Sequence, residues 1–438
     1  MFRMNIKGLI PRHMEERGLL VLRDNLKYIE DILDHRRIPE KGIDEDKIRL
    51  LLKFLSLMDT DKDPKAIRVG EREGRWVSRI QEELVSGFCH GIGRSGSLID
   101  PQPKAPGASA MYSLTNSILT SFLRNLGLKV YGVGLPVATG LSLSLCLNAL
   151  RRMYNSNVAI YPYAAHKSPI KGIYLAGFKM RLVETKLYGD SVQVDVGDIE
   201  DAILQEIDIG NNPCVVSTLT FFPPRESDHI EEIAKICEEY NIPHVINGAY
   251  ALQSRYYIER LRRAFKYRVD AVVSSSDKNL LTPIGGGIVY SKNRDFLREI
   301  SLSYPGRACA TPVVNILVSL LTLGMRGYLK LMEEQRGCRD LLEKLLNDLA
   351  EKTGGKVLNI NNPISLSITV HSDPVEIAGK LYNLRVTGPR GVRSTDKFAT
   401  CYLHGYPYNY IVISASLGVK EEDIIAVVEK LENILLDR

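Results

Sequence analysis

The sequence has no C-x-x-C pair. Its seven cysteines are odd in number, and Cys89, Cys146, Cys214, Cys237, Cys309, Cys338 and Cys401 stand far apart. This argues against a disulfide framework and against a zinc site. Long apolar runs are missing too. The longest, over 134–150 and 313–323, are short or interrupted, and neither makes a membrane span. The opening residues, MFRMNIKGLIPRHMEERG, lack the apolar stretch of a secretory signal, so a reducing cytoplasm is the expected setting. No repeat or low-complexity tract is visible. Nor is there a large excess of one charge: 57 basic residues against 52 acidic ones leave +5. Such a surface permits an RNA or other acidic partner without demanding one.

What is present is an ordinary globular balance, 45% apolar and 25% charged over 438 residues, enough for two or three parts sharing a large core. The first part, 1–63, reads as helical. Leu19, Leu22, Leu26, Ile29 and Ile32 recur at three- and four-residue spacing, one face of an amphipathic helix, and Leu50, Leu51, Leu55 and Met58 continue the theme. That face must pack on the body of the protein or on another subunit. From 64 to 312, strands and helices alternate. Apolar, β-branched runs lie at 129–133, 158–161, 180–184, 213–219, 244–246, 270–274 and 287–290, with helical patterns such as 141–153 and 229–240 between them. This alternation predicts an α/β fold with a mainly parallel sheet, whose ligands sit at the carboxyl ends of the strands. The third part, 313–438, begins with a long helix to about 352. A small α+β unit follows, with strands at 364–370 and 410–414 and a last helix at 420–435.

Lys278 stands where a strand ends: Asp270-Ala-Val-Val-Ser-Ser-Ser-Asp-Lys278-Asn-Leu-Leu-Thr-Pro-Ile-Gly-Gly-Gly287. A lysine that forms a Schiff base with a carbonyl cofactor needs such a place, partly desolvated and near the cofactor's phosphate. The serines before it allow close approach and can donate to phosphate. Taken alone, the segment equally describes a surface lysine after a strand. Ser275-Ser-Asp-Lys278 also fits the S-x-x-K of a serine hydrolase, but neither a helix start at the serine nor the partner motifs of that chemistry is visible.

Three further features line up with it. The strand before Asn247 ends in that short amide. Thr139-Gly140 opens an apolar helix whose free N–H groups suit an anion, unless Thr139 is a plain cap. His166, followed by Lys167, comes after the strand at 158–161. Anion turn, histidine, strand-end Asn and strand-end Lys, in that order, resemble the pyridoxal-phosphate (PLP) enzymes of the aminotransferase-like fold, fold type I. The resemblance implies that Lys278 carries pyridoxal 5'-phosphate, that Thr139 and Gly140 face its phosphate, that His166 stacks on its ring and that Asn247 faces the ring nitrogen. An amide cannot hold that nitrogen protonated as a carboxylate does. Such a site suits a reaction in which a good β leaving group departs.

A second anion site is written into His90-Gly-Ile-Gly-Arg94-Ser95-Gly-Ser-Leu-Ile-Asp-Pro-Gln102-Pro-Lys104-Ala-Pro-Gly107. It reads as a long loop, 91–107, of glycine N–H groups around an arginine fork, without the spacing of a Walker loop. Another arginine appears in Ser303-Tyr-Pro-Gly-Arg307-Ala. An extra phosphate site beside a PLP lysine points to a phosphorylated amino acid as substrate.

With Gly70-Glu-Arg72-Glu-Gly-Arg75, Ala138-Thr139-Gly140-Leu-Ser-Leu, Asp277-Lys278-Asn, Pro283-Ile-Gly-Gly and Tyr304-Pro-Gly-Arg307-Ala, the chain resembles the O-phosphoseryl-tRNA(Sec) selenium transferases, and a compact archaeal member in particular. The resemblance implies conversion of O-phosphoseryl-tRNA(Sec) to selenocysteinyl-tRNA(Sec) with selenophosphate. Lys278 would take the Cα proton and phosphate would leave Cβ. Arg72 would reach the PLP phosphate from a neighbouring subunit. Arg94, Ser95, Gln102 and Arg307 would hold the substrate phosphate, with Lys167 also on the substrate. A homotetramer of PLP dimers is implied, binding the tRNA acceptor arm partly through N-terminal helices, with no metal and no membrane. The family's C-terminal tRNA-contacting extension is not evident. The alternatives are a tRNA-dependent cysteine synthase of the same fold and a silent tRNA-binding protein, for which the basic stretch 259–268 would serve.

Overall fold

The N-terminal amphipathic pattern forms α1 (Arg12–His35) and α2 (Glu45–Ser56). The computed structural model describes residues 6–164 and 166–436. The face of α1 is covered only towards its C-terminal end. Ile29 and Ile32 are buried in the main core, whereas Leu20, Val21 and Leu26 stay exposed. After α3 (Arg79–Leu84), α4 (Pro106–Asn125) begins inside the segment expected to be loop. Its first turn is held by a remote partner: buried Asp59 accepts from the Gly107 and Ala108 N–H groups at 2.8 and 3.1 Å. Gly107 is required there, because a β-carbon would lie 1.9 Å from the Leu55 carbonyl oxygen.

The alternating region builds β1 (Tyr131–Leu135), α5 (Thr139–Tyr154), β2 (Val158–Pro162), α6 (Lys167–Leu175) and β3 (Lys179–Val183). A hairpin follows, β4 (Lys186–Tyr188) and β5 (Ser191–Gln193), then α7 (Val196–Asp208), β6 (Pro213–Thr218), α8 (Ile230–Glu239) and β7 (His244–Asn247). The region closes with α9 (Arg255–Ala264), β8 (Ala271–Ser275), the short α10 (Ser276–Leu280), β9 (Gly287–Ser291) and α11 (Arg294–Leu302). The sheet order is β1-β9-β8-β7-β6-β2-β3. Only β9 runs against the others. Strands β2, β6, β7, β8 and β9 are buried along their whole length, as a sheet covered on both faces requires. The carboxyl ends of β2, β6, β7 and β8 therefore open on one side.

The long helix α12 (Thr311–Thr353) breaks at Gly324, where the backbone turns left-handed at φ 58°. The break admits the segment at 39–43. Met325 and Arg326 N–H groups donate to the Pro39 and Glu40 carbonyls at 2.8 and 2.9 Å. Up to Met332 the buried side chains of α12 belong to the main core. From Cys338 onward they join a second cluster. That cluster contains β10 (Ser365–Thr369), α13 (Pro374–Asn383), β12 (Tyr410–Ser414) and α14 (Glu421–Leu435); β11 (Arg390–Val392) completes the antiparallel order β10-β12-β11.

Candidate active site

β8 delivers Lys278 past the sheet edge into α10. Two buried side chains fix the backbone beneath it. Asn279 donates to the Ala249 and Ser275 carbonyls at 2.9 and 2.7 Å and accepts from Leu252 N–H at 3.0 Å. Gln253 donates to the Lys278 carbonyl at 2.8 Å and accepts from Leu417 N–H, in the C-terminal unit, at 3.2 Å. The helix then stops at Leu281 in a left-handed turn, φ 53°. The Lys278 side chain is 46% exposed and its nearest carboxylate, Asp277, lies 4.0 Å away.

The serines before it find partners within the protein. Ser274 donates to the Gly248 carbonyl at 2.7 Å, Ser276 to the Gly286 carbonyl at 2.9 Å, and Ser275 to Asp277. All three hydroxyls are engaged within the fold. Ser275 does stand at a helix start, contrary to the sequence reading. It is buried and bonded to Asp277, so the hydrolase reading still fails.

Asn247 ends β7 opposite Thr218 of β6 and Val273 of β8. It is buried, and its Oδ1 has no hydrogen-bond partner. An unpaired buried acceptor costs about 1–3 kcal/mol, and an amide can turn either its oxygen or its NH₂ to a ligand. His166 precedes α6, with its ring centroid 6.2 Å from that of Phe221. Desolvation first, then the Lys278 and Arg390 charges, hold its pKa below the usual histidine value, although the residue still reaches solvent. The imidazole is neutral at neutral pH. At the start of α5 the N-cap position is Ala138, not Thr139. Thr139 is already helical, so the plain-cap reading is corrected and no side chain caps the first N–H groups. Gly140 lets α6 approach, because a β-carbon there would lie 2.2 Å from Ser168 Oγ. Lys167 is the exposed first residue of α6.

The predicted phosphate residues gather separately. Ile92 and Ala308 exchange backbone hydrogen bonds of 2.9 and 3.2 Å, which lays the glycine loop against the Arg307 segment. Arg94 and Ser97 close a tight turn, and the Arg94 and Ser95 side chains stay exposed. Arg307 donates from Nη2 to the His90 carbonyl, while its Nε is buried and unpaired. Burial and the neighbouring Arg72 charge lower the Arg307 pKa. Glu73 pairs with Lys104, which ties the Arg72 segment to Gln102-Pro-Lys104 and holds Glu73 below the usual carboxylate value. Gln102 donates from its backbone N–H to Ser109 Oγ at 2.9 Å. A cavity of 410 Å³ opens among Arg72, Arg75, Cys89, His90, Arg307 and Cys309. No carboxylate pairs with Arg72, Arg94 or Arg307 among the described residues. Within one chain, no hydrogen bond or ion pair among the described residues joins this cluster to Lys278.

The family model for O-phosphoseryl-tRNA(Sec) selenium transferase, SepSecS, matches residues 58–436. The chain belongs to this family. A curated SepSecS relative from Methanococcus maripaludis is 65% identical over 436 residues, covering 100% of both chains. A crystal structure of archaeal SepSecS superposes with a TM-score of 0.98 at 65% identity, over 99% of this chain and 100% of that one. At the level of fold alone, the structure of Oryza sativa TDC with PLP matches with a TM-score of 0.61 at 14% identity, over 100% of this chain and 99% of that one. The fold is the type I fold of PLP-dependent enzymes, as the order of Thr139-Gly140, His166, Asn247 and Lys278 along the chain led us to expect.

Several site residues in this SepSecS chain escape sequence reasoning. Asn279 lay inside a motif, yet its role as a clamp needs the fold. Arg390, on the short β11, carries no local signal at all. Asp61, whose carboxylate lies 3.7 Å from the His90 ring, sits in what reads as an acidic turn. Much of the basic stretch at 259–268 is engaged in ion pairs: Arg262 pairs with Glu259, Arg260 and Arg263 share Glu231, and Arg268 pairs with Asp270.

Proposed function

We propose that the chain converts O-phosphoseryl-tRNA(Sec) to selenocysteinyl-tRNA(Sec), using selenophosphate, by β-elimination of phosphate followed by selenium addition at Cβ. The observation that carries the reading is a reactive lysine at the carboxyl edge of the sheet in a chain that also bears an arginine cluster with no anion of its own. Pyridoxal phosphate fits the first half. Lys278 would hold it, the unpaired Asn247 amide would meet its ring nitrogen, neutral His166 would lie on its ring, and the uncapped start of α5 would face its phosphate. When bound, it supplies an electron sink for loss of the Cα proton.

The chain's own groups divide the remaining work. Lys278, half exposed and 4.0 Å from Asp277, moves the Cα proton. Arg94 and Arg307 take the charge of the departing phosphate, and Arg307 Nε is free to donate to it. Ser95, Gln102 and Lys167 orient the substrate. No hydrogen bond or ion pair joins the two clusters among the described residues, and the complete site is taken to draw on a neighbouring copy, whose Arg72 reaches the cofactor phosphate. Exposed Ile67, Val69, Val77, Ile80 and Leu84 flank Arg72 and give that copy an apolar seat. We read the assembly as a dimer of dimers, with the exposed part of α1 available to the tetramer or the tRNA acceptor arm, acting in the cytoplasm.

Comparing donors tests the reading. In a single turnover on phosphoseryl-tRNA(Sec), selenophosphate is expected to yield the selenocysteinyl product at a rate sulfide does not match. Equal turnover with sulfide would instead favour the cysteine-synthase alternative.

A further inference from the structure

Beneath the arginine cluster lies a shielded histidine to which the proposed chemistry gives no part. The His90 and Asp61 side chains are both 0% exposed, with His90 Nε2 3.7 Å from Asp61 Oδ1. The same nitrogen lies 3.3 Å from Thr60 Oγ1. Asp61 is held in turn by Lys62, which also reaches Glu82 at 3.1 Å and the Gly87 carbonyl at 2.8 Å. Gly74, two residues beyond Arg72, packs directly on the pair. A β-carbon at Gly74 would lie 2.7 Å from Asp61 Cβ and 3.0 Å from His90 Nε2. On its other side, His90 offers its carbonyl to Arg307 Nη2. One residue thus braces the Arg72 segment with its ring and anchors Arg307 with its backbone. Arg72 and Arg307 feel each other's charge, and neither has a carboxylate partner among the described residues. Like charges left in proximity drift apart unless the frame holds them.

We propose that His90, braced by Asp61, is a positioning residue that sets Arg307 for a phosphate dianion and keeps the Arg72 segment against it. The inference rests on the reading above, that this cluster receives the substrate's phosphate. Burial, the largest cause, lowers the His90 pKa, so the brace works by the packing of the ring against Asp61 and Gly74 and by its contact with Thr60 Oγ1 rather than by adding a charge. Arg307 Nε and His90 Nδ1 both remain buried without partners, which leaves the guanidinium a free donor once its other end is fixed.

The test is inorganic phosphate binding to the holoenzyme, measured by calorimetry, with the cofactor absorbance and melting temperature recorded alongside. His90→Gln is expected to weaken phosphate about tenfold, the loss of one well-set charge-assisted hydrogen bond, while the cofactor absorbance is unchanged. A side chain that served only stability would lower the melting temperature and leave phosphate affinity within twofold of the parent; that result overturns the inference. Should His90→Gln fail to fold, Asp61→Ala, which empties the space beside the ring, is expected to weaken phosphate about threefold, and unchanged affinity there overturns it equally. Arg307→Ala separates the two levels. If it leaves phosphate affinity intact, the reading of the cluster itself is wrong. If it weakens phosphate and His90→Gln does not, only the role of His90 falls.

Discussion

Arg94 is held by its backbone and leaves its guanidinium in the open, so its removal should touch substrate and nothing else. Arg94→Ala is expected to slow phosphate elimination about 10²–10³-fold, in line with losing one preorganised donor to a developing charge, with the cofactor absorbance intact. Loss of the cofactor in that variant would remove Arg94 from the substrate's side of the site. Arg94→Lys should recover little, because a point charge does not replace the fork. Residues of this kind were legible because they end strands or interrupt loops: Lys278, Asn247, His166 and Arg307 each follow an apolar run or a glycine turn. What was not legible is where a side chain points. Ser274, Ser275 and Ser276 have hydroxyls suited to a phosphate, and they turn to Gly248, Asp277 and Gly286, partners that the local sequence does not indicate. A hydroxyl's partner is chosen by packing, and packing is not written locally.

Among the elements, the interior strands were plain in the sequence because a sheet covered on both faces demands apolar, β-branched runs. The start of α4 was hidden because Pro106-Gly107 reads as a turn. Its true cap, Asp59, is 48 residues away, and the glycine answers the Leu55 backbone rather than a turn. The β4–β5 hairpin and β11 are three-residue strands, too short for alternation to show. Asp59 bears its role at a cost. Burial, the largest cause, raises its pKa to about 6. The folded carboxyl therefore binds its proton more tightly than the unfolded one, whose pKa is about 3.9. Its contribution to stability is full below the unfolded value and is lost as pH rises through about 6. Asp59→Asn, which keeps the acceptor, is expected to raise stability at pH 8 by about 1–3 kcal/mol and to change it little at pH 4, as read from melting at both pH values. A second element-level test lies where β2 and β6 end. Fully buried Arg225 donates to the Tyr163 carbonyl at 2.9 Å and pairs with Asp228, which accepts from Thr218 N–H at 2.6 Å. Arg225→Met should cost about 3–5 kcal/mol, because it strands a buried carboxylate; a denaturation midpoint close to the parent's would contradict this.

For the whole molecule, the decisive question is whether the proposed site is completed by a neighbouring copy. Ile67 and Val69, at 92% and 85% exposure, leave an apolar surface beside Arg72 that a lone chain has no use for. If a neighbouring copy supplies Arg72, then Lys278→Ala and Arg72→Ala are each inactive alone but regain part of the activity when co-expressed, since the mixed dimer rebuilds one intact site. No recovery would place both residues in the same chain's site. This level was the least visible in the sequence. Apolar residues flanking a motif look the same whether they face a core or a partner, and the donor atom transferred was carried by family likeness alone. The most direct measurement joins the levels: single-turnover release of phosphate from phosphoseryl-tRNA(Sec) by the parent protein and by Lys278→Ala, with borohydride used to fix the cofactor before peptide mapping. The proposed chemistry predicts a yellow protein, cofactor fixed on Lys278, and phosphate release that disappears in Lys278→Ala. Release at the parent rate from that variant, or cofactor fixed on another residue, would contradict it.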